Sequence, residues 1–203
     1  MEISNKIHEA IDGFKLPGEL KECIRYGSGH INDTYRLTYE TPQGIKRYIL
    51  QRMSRNIFKK PVELMENVSG VTAWLRKKII ENGGNPERET LTLINSVENL
   101  PYFVDSDGEY WRVYLFIEGA TCYDLVKDDC DFYQSAVAFG HFQRLLADYP
   151  AETLHETIKD FHNTPDRLAK FKKAVAEDVC GRAASVQKEI DFMLEREELT
   201  HAL

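Results

Sequence analysis

The spacing of apolar and polar residues changes character near residue 120. Before it, segments 20–26 and 33–40 have the pattern of strands, and in the second of these apolar and polar residues alternate as in a half-buried strand. Segment 46–53 predicts a third strand, and residues 90–94 a short fourth one. Beyond Gly119, apolar residues recur at helical spacing to the end of the chain. The pattern therefore predicts a small sheet followed by helices.

One long helix interrupts the strands. It is predicted to begin at Pro61, because proline suits the first helical position, and to end at the Gly- and Pro-containing segment 82–86. Its predicted inward stripe consists of Leu64, Val68, Val71 and Leu75. Segments 102–104 and 110–117 flank the turn-forming residues 105–109 and predict a hairpin. These elements predict the α+β class with two lobes, residues 1–117 and 118–203.

The helical part is predicted to contain three helices. The first carries apolar residues from Phe132 to Leu146, with the acidic residues 128–131 at its start, where the helix dipole favours them. The second begins at Thr164-Pro165 and ends near Gly181. The third is capped by Ser185, with Val186, Ile190 and Met193 facing inward.

Composition excludes several classes of function. The net charge of −7 leaves no basic excess to bind the phosphates of a nucleic acid. The four cysteines are too far apart for a zinc knuckle or a CxxC redox motif. No apolar segment approaches the length of a membrane span, and we expect a cytoplasmic protein with no nucleic-acid or membrane partner.

A glycine-containing loop joins the first two predicted strands. Its pattern is Gly27-Ser28-Gly29-His30-Ile31-Asn32, and glycine lets backbone N–H groups approach a phosphate closely. Asn32 stands where a third glycine is often found, and asparagine tolerates a left-handed φ. Because a strand follows the loop, the context is that of kinases and not of dinucleotide-binding folds. The alternatives are a hairpin tip without a ligand and, for His30, a solvent-exposed loop residue.

The third strand offers a cation for the phosphates. Kinase-like folds place such a residue there, and Arg52 is the candidate, with Leu50 on the same face to cover an adenine. Gln51 is the alternative, and Arg52 could equally be an exposed strand residue. On the following helix, Glu63 is favoured as the acid that pairs with the cation.

The last strand leads out of the sheet through residues 111–119. An apolar strand that leaves a sheet for a second lobe supplies flat walls and free backbone groups for a nucleotide base. The Leu115 carbonyl and the Ile117 N–H are predicted to bind the adenine edge, with Tyr114 at the back of the pocket. The alternative, a central core strand, is compatible with this interpretation.

Together these segments resemble the aminoglycoside phosphotransferase/choline kinase superfamily, and within it the N-acetylhexosamine 1-kinases most. The resemblance rests on GSGHINDTY at 27–35, YILQRM at 48–53, PVELMEN at 61–67, WRVYLFI at 111–117 and FHNT at 161–164. It implies a protein-kinase-like two-lobe fold, ATP and Mg²⁺ as cofactors, and phosphoryl transfer to the anomeric hydroxyl of an N-acetylhexosamine. It also implies that the loop of residues 27–32 covers the phosphates and that His30 lies near the sugar.

One departure from the family pattern is large. The His-x-Asp-x-x-x-x-Asn loop and the second metal-binding Asp are absent, since His162-Asn163-Thr164 lacks the Asp. We therefore expect an N-terminal fragment with no catalytic or metal-binding residue of its own, inactive alone, whose helical half exposes apolar surface and self-associates. The alternatives are a non-catalytic, pseudokinase-like nucleotide-binding module and an interaction domain without a ligand.

Overall fold

The computed structural model describes residues 4–202, which divide into two compact units, one ending at Thr157 and the other beginning at Ile158. The boundary between residues 117 and 118 that the sequence pattern predicts lies within the first unit, where the chain passes from its last strand to its next long helix. No helix in the described range is long and apolar enough to cross a membrane.

The first unit contains six strands and four α-helices among its described residues. In chain order they are α1 (Asn5–Asp12), β1 (Glu19–Arg25), β2 (Asp33–Thr41), β3 (Gly44–Arg52), α2 (Pro61–Glu81), α3 (Pro86–Glu89), β4 (Leu93–Ile94), β5 (Phe103–Val104), β6 (Tyr110–Leu115) and α4 (Asp129–Leu145), followed by a 3₁₀ turn at Ala151–Thr153. The predicted α+β class and the order of sheet, long helix, hairpin and helices are confirmed. Helix α1 was not predicted.

All strand pairs in the sheet are antiparallel. The order is β1-β2-β3-β6-β4, and β5 pairs with the first two residues of β6, Tyr110 and Trp111. Strands β2 and β3 pair without interruption from Asp33 opposite Arg52 to Thr41 opposite Gly44. Strand β1 forms an edge of the sheet, and its register with β2 shifts between Leu20 and Glu22, as in a β-bulge.

The sheet has two faces with different neighbours. Helix α1 packs on one of them, here called the α1 face, through Ala10 and Ile11. The buried strand residues of this face are Leu37, Tyr39, Tyr48, Leu50, Trp111 and Val113. Since side chains alternate along a strand, Ile49, Gln51, Arg112 and Tyr114 belong to the opposite face. That face is directed towards α2, whose Met65 contacts Arg112, and it is called the α2 face below.

Helix α2 begins at Pro61 as predicted, and its inward stripe differs from the predicted one. The fully buried residues are Met65, Leu75 and Ile79, so of the predicted stripe only Leu75 is buried. Val68 and Val71 are partly exposed and line a cavity instead. The predicted stripe lies along one edge of the buried surface of α2, and the centre of that surface is at Met65, Leu75 and Ile79.

The hairpin between β5 and β6 is closed by a buried carboxylate. Asp105 is 6% exposed and accepts hydrogen bonds from the backbone N–H groups of Asp107 at 3.0 Å and Glu109 at 2.9 Å. Its second oxygen accepts from the Trp111 indole N–H at 2.8 Å. The prediction that residues 105–107 are turn residues is therefore confirmed. Likewise, Asp128 caps α4 by accepting from the Cys130 N–H at 2.9 Å, which confirms the predicted helix start.

The second unit contains α5 (Thr164–Glu177), α6 (Gln187–Leu194) and 3₁₀ segments at Ala183–Val186 and Glu197–His201. Asn163 caps α5 by accepting from the Asp166 N–H at 3.0 Å. Of the three residues predicted to face inward around α6, only Ile190 is buried. The other two, Val186 and Met193, are each 43% exposed, so that part of the prediction is wrong.

Candidate functional site

The glycine loop, residues 27–32, lies between the end of β1 and the start of β2. Gly27 has a φ of +80°, a left-handed conformation that favours glycine. A Cβ placed on Gly27 or on Gly29 would meet no atom within 4 Å. Internal packing therefore gives no reason for these two glycines, and the loop backbone is open to close approach by a ligand.

Two side-chain hydrogen bonds anchor this loop. The Asn32 side-chain oxygen accepts from the backbone N–H of Ser54 at 2.9 Å, and the Ser28 hydroxyl donates to Asp124 at 2.8 Å. Asn32 does not adopt the left-handed conformation, which among the described non-glycine residues occurs only at Asn99, Asp160 and Asp178. The predicted role of Asn32, to adopt a left-handed backbone conformation, is therefore wrong. Its side-chain oxygen instead joins the loop to the residues that follow β3.

Arg52 faces an acid on the neighbouring strand. Its Nε donates to Asp33 at 2.9 Å, and Arg25 pairs with the other oxygen of the same carboxylate at 2.5 Å. The Arg25 hydrogen bond is the main cause of a lowered Asp33 pKa, and the Arg52 bond adds to it. Glu63 instead pairs with Lys60 at 2.9 Å. The predicted pairing of Arg52 with Glu63 is therefore wrong, because a closer acid neutralises Arg52.

Leu50 does not share a ligand-accessible surface with Arg52. Its side chain is fully buried in the core under α1, so the prediction that it covers an adenine is contradicted. The error follows from choosing the wrong one of the two faces of β3. The residues of β3 on the α2 face are Ile49 and Gln51, the latter being the alternative that the sequence left open.

A hydrogen-bonded chain crosses the α2 face. Both Nε and Nη2 of Arg112 donate to the side-chain oxygen of Gln51, at 2.9 and 2.7 Å. The Gln51 amide nitrogen donates in turn to the Thr34 hydroxyl at 3.0 Å. Thr34 is the second residue of β2, and β2 begins directly after the glycine loop. Sequence reasoning missed Arg112, although a charged residue within the apolar segment 111–117 was a signal that could have identified it.

His30 and Arg52 line one polar cavity of about 360 Å³ beside the glycine loop. Its wall also contains Asp33, Arg55 and Glu109. These side chains supply cationic donors and carboxylate acceptors. The structure thus brings together the residue predicted to touch a substrate and the one predicted to touch phosphates, around a cavity suited to a polar ligand.

The segment after β6 keeps a free backbone donor. Phe116 donates its N–H to the Arg47 carbonyl at 3.0 Å, whereas the Ile117 N–H has no hydrogen-bond partner among residues 4–202. The Phe116 ring lies edge-on to Tyr26, which precedes the glycine loop, with centroids 5.6 Å apart. Tyr114 is 7% exposed, and burial raises its pKa. The contact between Phe116 and Tyr26 thus brings the predicted base-binding segment, residues 114–117, next to the start of the glycine loop.

An apolar cavity of about 520 Å³ adjoins the same segment. It is lined by Ile117, by α2 residues including Val68 and Val71, and by Phe142 of α4. Within residues 4–202, no group of three or more His, Cys, Asp or Glu side chains could hold a metal ion.

No family model matches the chain. Among solved structures, it is similar to the crystal structure of the spectinomycin phosphotransferase APH(9)-Ia in complex with ADP and spectinomycin. The two share 12% sequence identity with a TM-score of 0.46, over 87% of this chain and 52% of that one. The chain thus spans about half the length of that phosphotransferase.

Proposed function

We propose that this chain forms the nucleotide-binding part of an ATP-dependent small-molecule kinase whose acceptor is an N-acetylhexosamine. The observation that carries the proposal is the glycine loop, whose backbone is open at Gly27 and Gly29 and which is anchored through Asn32 and Ser28. An anchored loop with free N–H groups binds phosphate with little loss of conformational freedom. Its position between two antiparallel strands supports the kinase-type arrangement.

The base would be bound where β6 leaves the sheet. The Ile117 N–H is available to an acceptor on the base edge, and the Leu115 carbonyl is the proposed partner for a donor. The aromatic pair of Tyr26 and Phe116 joins this segment to the glycine loop. A single nucleotide could therefore reach from the segment after β6 to the loop.

The acceptor is proposed from the sequence motifs together with the polar cavity at His30. A sugar presents hydroxyl groups that both donate and accept hydrogen bonds, and the side chains of Arg55 and Glu109 match them. In kinases of this type Mg²⁺ neutralises charge on the transferred phosphoryl group, and catalysis is mostly positioning. The residues of this chain would bind and orient the nucleotide, and transfer to the anomeric hydroxyl is proposed for the whole protein.

Nucleotide binding is tested by calorimetry with ATP on the chain and on Gly29→Val. A Cβ at this position meets no atom within 4 Å, so the melting temperature without ligand should change little. It should obstruct phosphate and weaken ATP binding about tenfold or more. Gly140→Ala adds a methyl group in open space outside the loop and serves as the matched control.

Each outcome separates the candidate functions. Binding of ATP that is weakened only by Gly29→Val supports the proposal, whereas no binding by the unchanged chain at millimolar ATP overturns it. Phosphoryl transfer is followed by ³¹P NMR with N-acetylglucosamine, N-acetylgalactosamine and glucose as acceptors. ATP binding without transfer to any acceptor, in protein made from the full reading frame, would favour the pseudokinase-like module.

A further inference from the structure

Arg112 is a cation without an acidic partner. Among residues 4–202 it forms no ion pair, whereas Arg25 and Arg52 both face the carboxylate of Asp33. Its donors go to neutral acceptors, the side-chain oxygen of Gln51 and the Met65 sulfur, the latter at 3.8 Å. A charge removed from water without a counter-ion destabilises a fold unless a ligand of opposite charge compensates it.

The surroundings of Arg112 are poor in water. Its guanidinium lies 5.1 Å from the ring centroid of Tyr114, and it contacts the fully buried Met65. Burial lowers the pKa of Arg112 below its ordinary value. The side chain still keeps part of its surface exposed, so that a ligand can reach it. In such surroundings an anion is attracted more strongly than in bulk water.

The position of Arg112 relates it to the glycine loop. The chain of hydrogen bonds from Arg112 through Gln51 ends at Thr34, where the loop joins β2. Arg52 lies one residue after Gln51, on the opposite face, and is already paired with Asp33. The uncompensated charge therefore lies on the α2 face of β6, separated by β3 from β2, the strand that follows the loop.

We infer that Arg112, held by Gln51, supplies the positive charge that binds the phosphates of the nucleotide, in place of Arg52. The inference deepens the proposed function and rests on it for the identity of the ligand. A planar guanidinium offers several N–H groups in a fixed geometry, and those not used by Gln51 are available to phosphate oxygens. The Gln51 side chain, oriented by Arg112 and Thr34, is the positioning residue.

The first test uses Arg112→Met, which keeps an unbranched side chain and removes the charge. It should weaken binding of ATP and of tripolyphosphate about tenfold or more and leave adenosine binding unchanged. Without ligand, its melting temperature should stay the same or rise, because an unpaired buried charge has been replaced by an apolar group. A purely structural role of Arg112 predicts the reverse, a lower melting temperature with ATP affinity per folded protein retained.

Gln51→Glu tests the same idea without removing the arginine. The new carboxylate would pair with Arg112 and neutralise it, so we expect a higher melting temperature without ligand and weaker binding of ATP and tripolyphosphate. Arg144→Gln, at an exposed position of α4, removes a positive charge outside the proposed site and should bind both probes as the unchanged chain does. The inference is overturned if Arg112→Met and Gln51→Glu both bind the probes within about twofold of the unchanged chain.

Binding by the unchanged chain distinguishes this inference from the proposed function. If it binds tripolyphosphate through Arg112 and does not bind ATP, Arg112 stands as a phosphate-binding residue and the nucleotide function fails. If it binds ATP equally well with and without the Arg112 charge, the nucleotide function stands and the inference fails. If it binds neither probe, both are overturned.

Discussion

The side-chain oxygen of Asn32 and the backbone N–H of Ser54 are joined by a hydrogen bond of 2.9 Å. This bond connects the last residue of the glycine loop to the residues that follow β3. The loop is thereby held next to the end of β3 by a side-chain hydrogen bond, in addition to the backbone pairing of the strands on either side of it. We expect this connection to limit how far the loop can open.

Replacing Asn32 by Ala should loosen the loop. The Ser54 N–H loses its acceptor, so its amide hydrogen should exchange faster with solvent, and the free energy of unfolding should fall by about 1 kcal/mol. Hydrogen exchange measured by NMR at Ser54 checks this. Asn32→Asp keeps an acceptor oxygen in the same place and should preserve the slow exchange. Equal exchange rates in Asn32→Ala and the unchanged chain would contradict the prediction.

Asp105 should be the most sensitive position of the hairpin. Asp105→Ala removes the acceptor for the Trp111 indole and for two backbone N–H groups, so we expect a loss of about 3 kcal/mol in urea unfolding. Near-ultraviolet circular dichroism should change as well, since Trp111 is buried. Asp107→Ala is the control: its ion pair with Lys6 is exposed and should contribute less than about 1 kcal/mol. Similar losses for both variants would refute the prediction.

The ion pairs of Asp33 should make stability depend on pH in the acid range. Its pKa is lowered from 3.8 in the folded protein, so its stabilising contribution is complete well above pH 3.8 and disappears as the pH falls through the lower folded value. Asp33→Asn should therefore be less stable than the unchanged chain at pH 7, with the difference decreasing as the pH falls below 3.8. Urea unfolding over this pH range measures it. A difference that is constant with pH would show that charge is not the cause.

Tyr39 should limit stability in alkali. It is 5% exposed, and burial, aided by the nearby Asp12 charge, raises its pKa to about 12. The neutral phenol therefore favours folding below the ordinary value of 10, and this contribution is lost as the pH rises from 10 to 12. Tyr39→Phe keeps the ring and should unfold at a higher pH, as followed by circular dichroism. Tyr133→Phe, at an exposed position, should behave as the unchanged chain; identical alkaline unfolding of all three would contradict the prediction.

The strands and the long helix could be predicted because their signals are local. Alternation identified β2, and Pro61 with the segment 82–86 bounded α2 within one residue. The face of β3 that meets a ligand could not be predicted this way. Strand β3 is central, with Ile49 partly buried and Leu50 fully buried on opposite sides, so hydrophobic alternation does not distinguish the two faces.

Two distant elements decide that question. Helix α1 covers the face of Leu50, and this short helix was not recognised in the sequence. Arg112 could be read only as a polar residue in an apolar strand, because its partner Gln51 lies 61 positions away. The lack of an acidic partner is a property of the folded protein, since it depends on which of the many acids lies nearby. The role of a site residue on a strand can therefore be assigned only when the pairing of that strand with its neighbours is known.

The edge formed by β1 has a consequence for association between copies of the chain. An unpaired strand edge can template the addition of a strand from another molecule, which leads to fibrillar aggregation. Here the register shift between Leu20 and Glu22 distorts the edge. Lys21, which lies at this shift, forms ion pairs with Glu19 and Glu40. An incoming strand would meet both irregular geometry and charges that it would have to desolvate. These two features therefore protect the β1 edge against the addition of a strand from another copy.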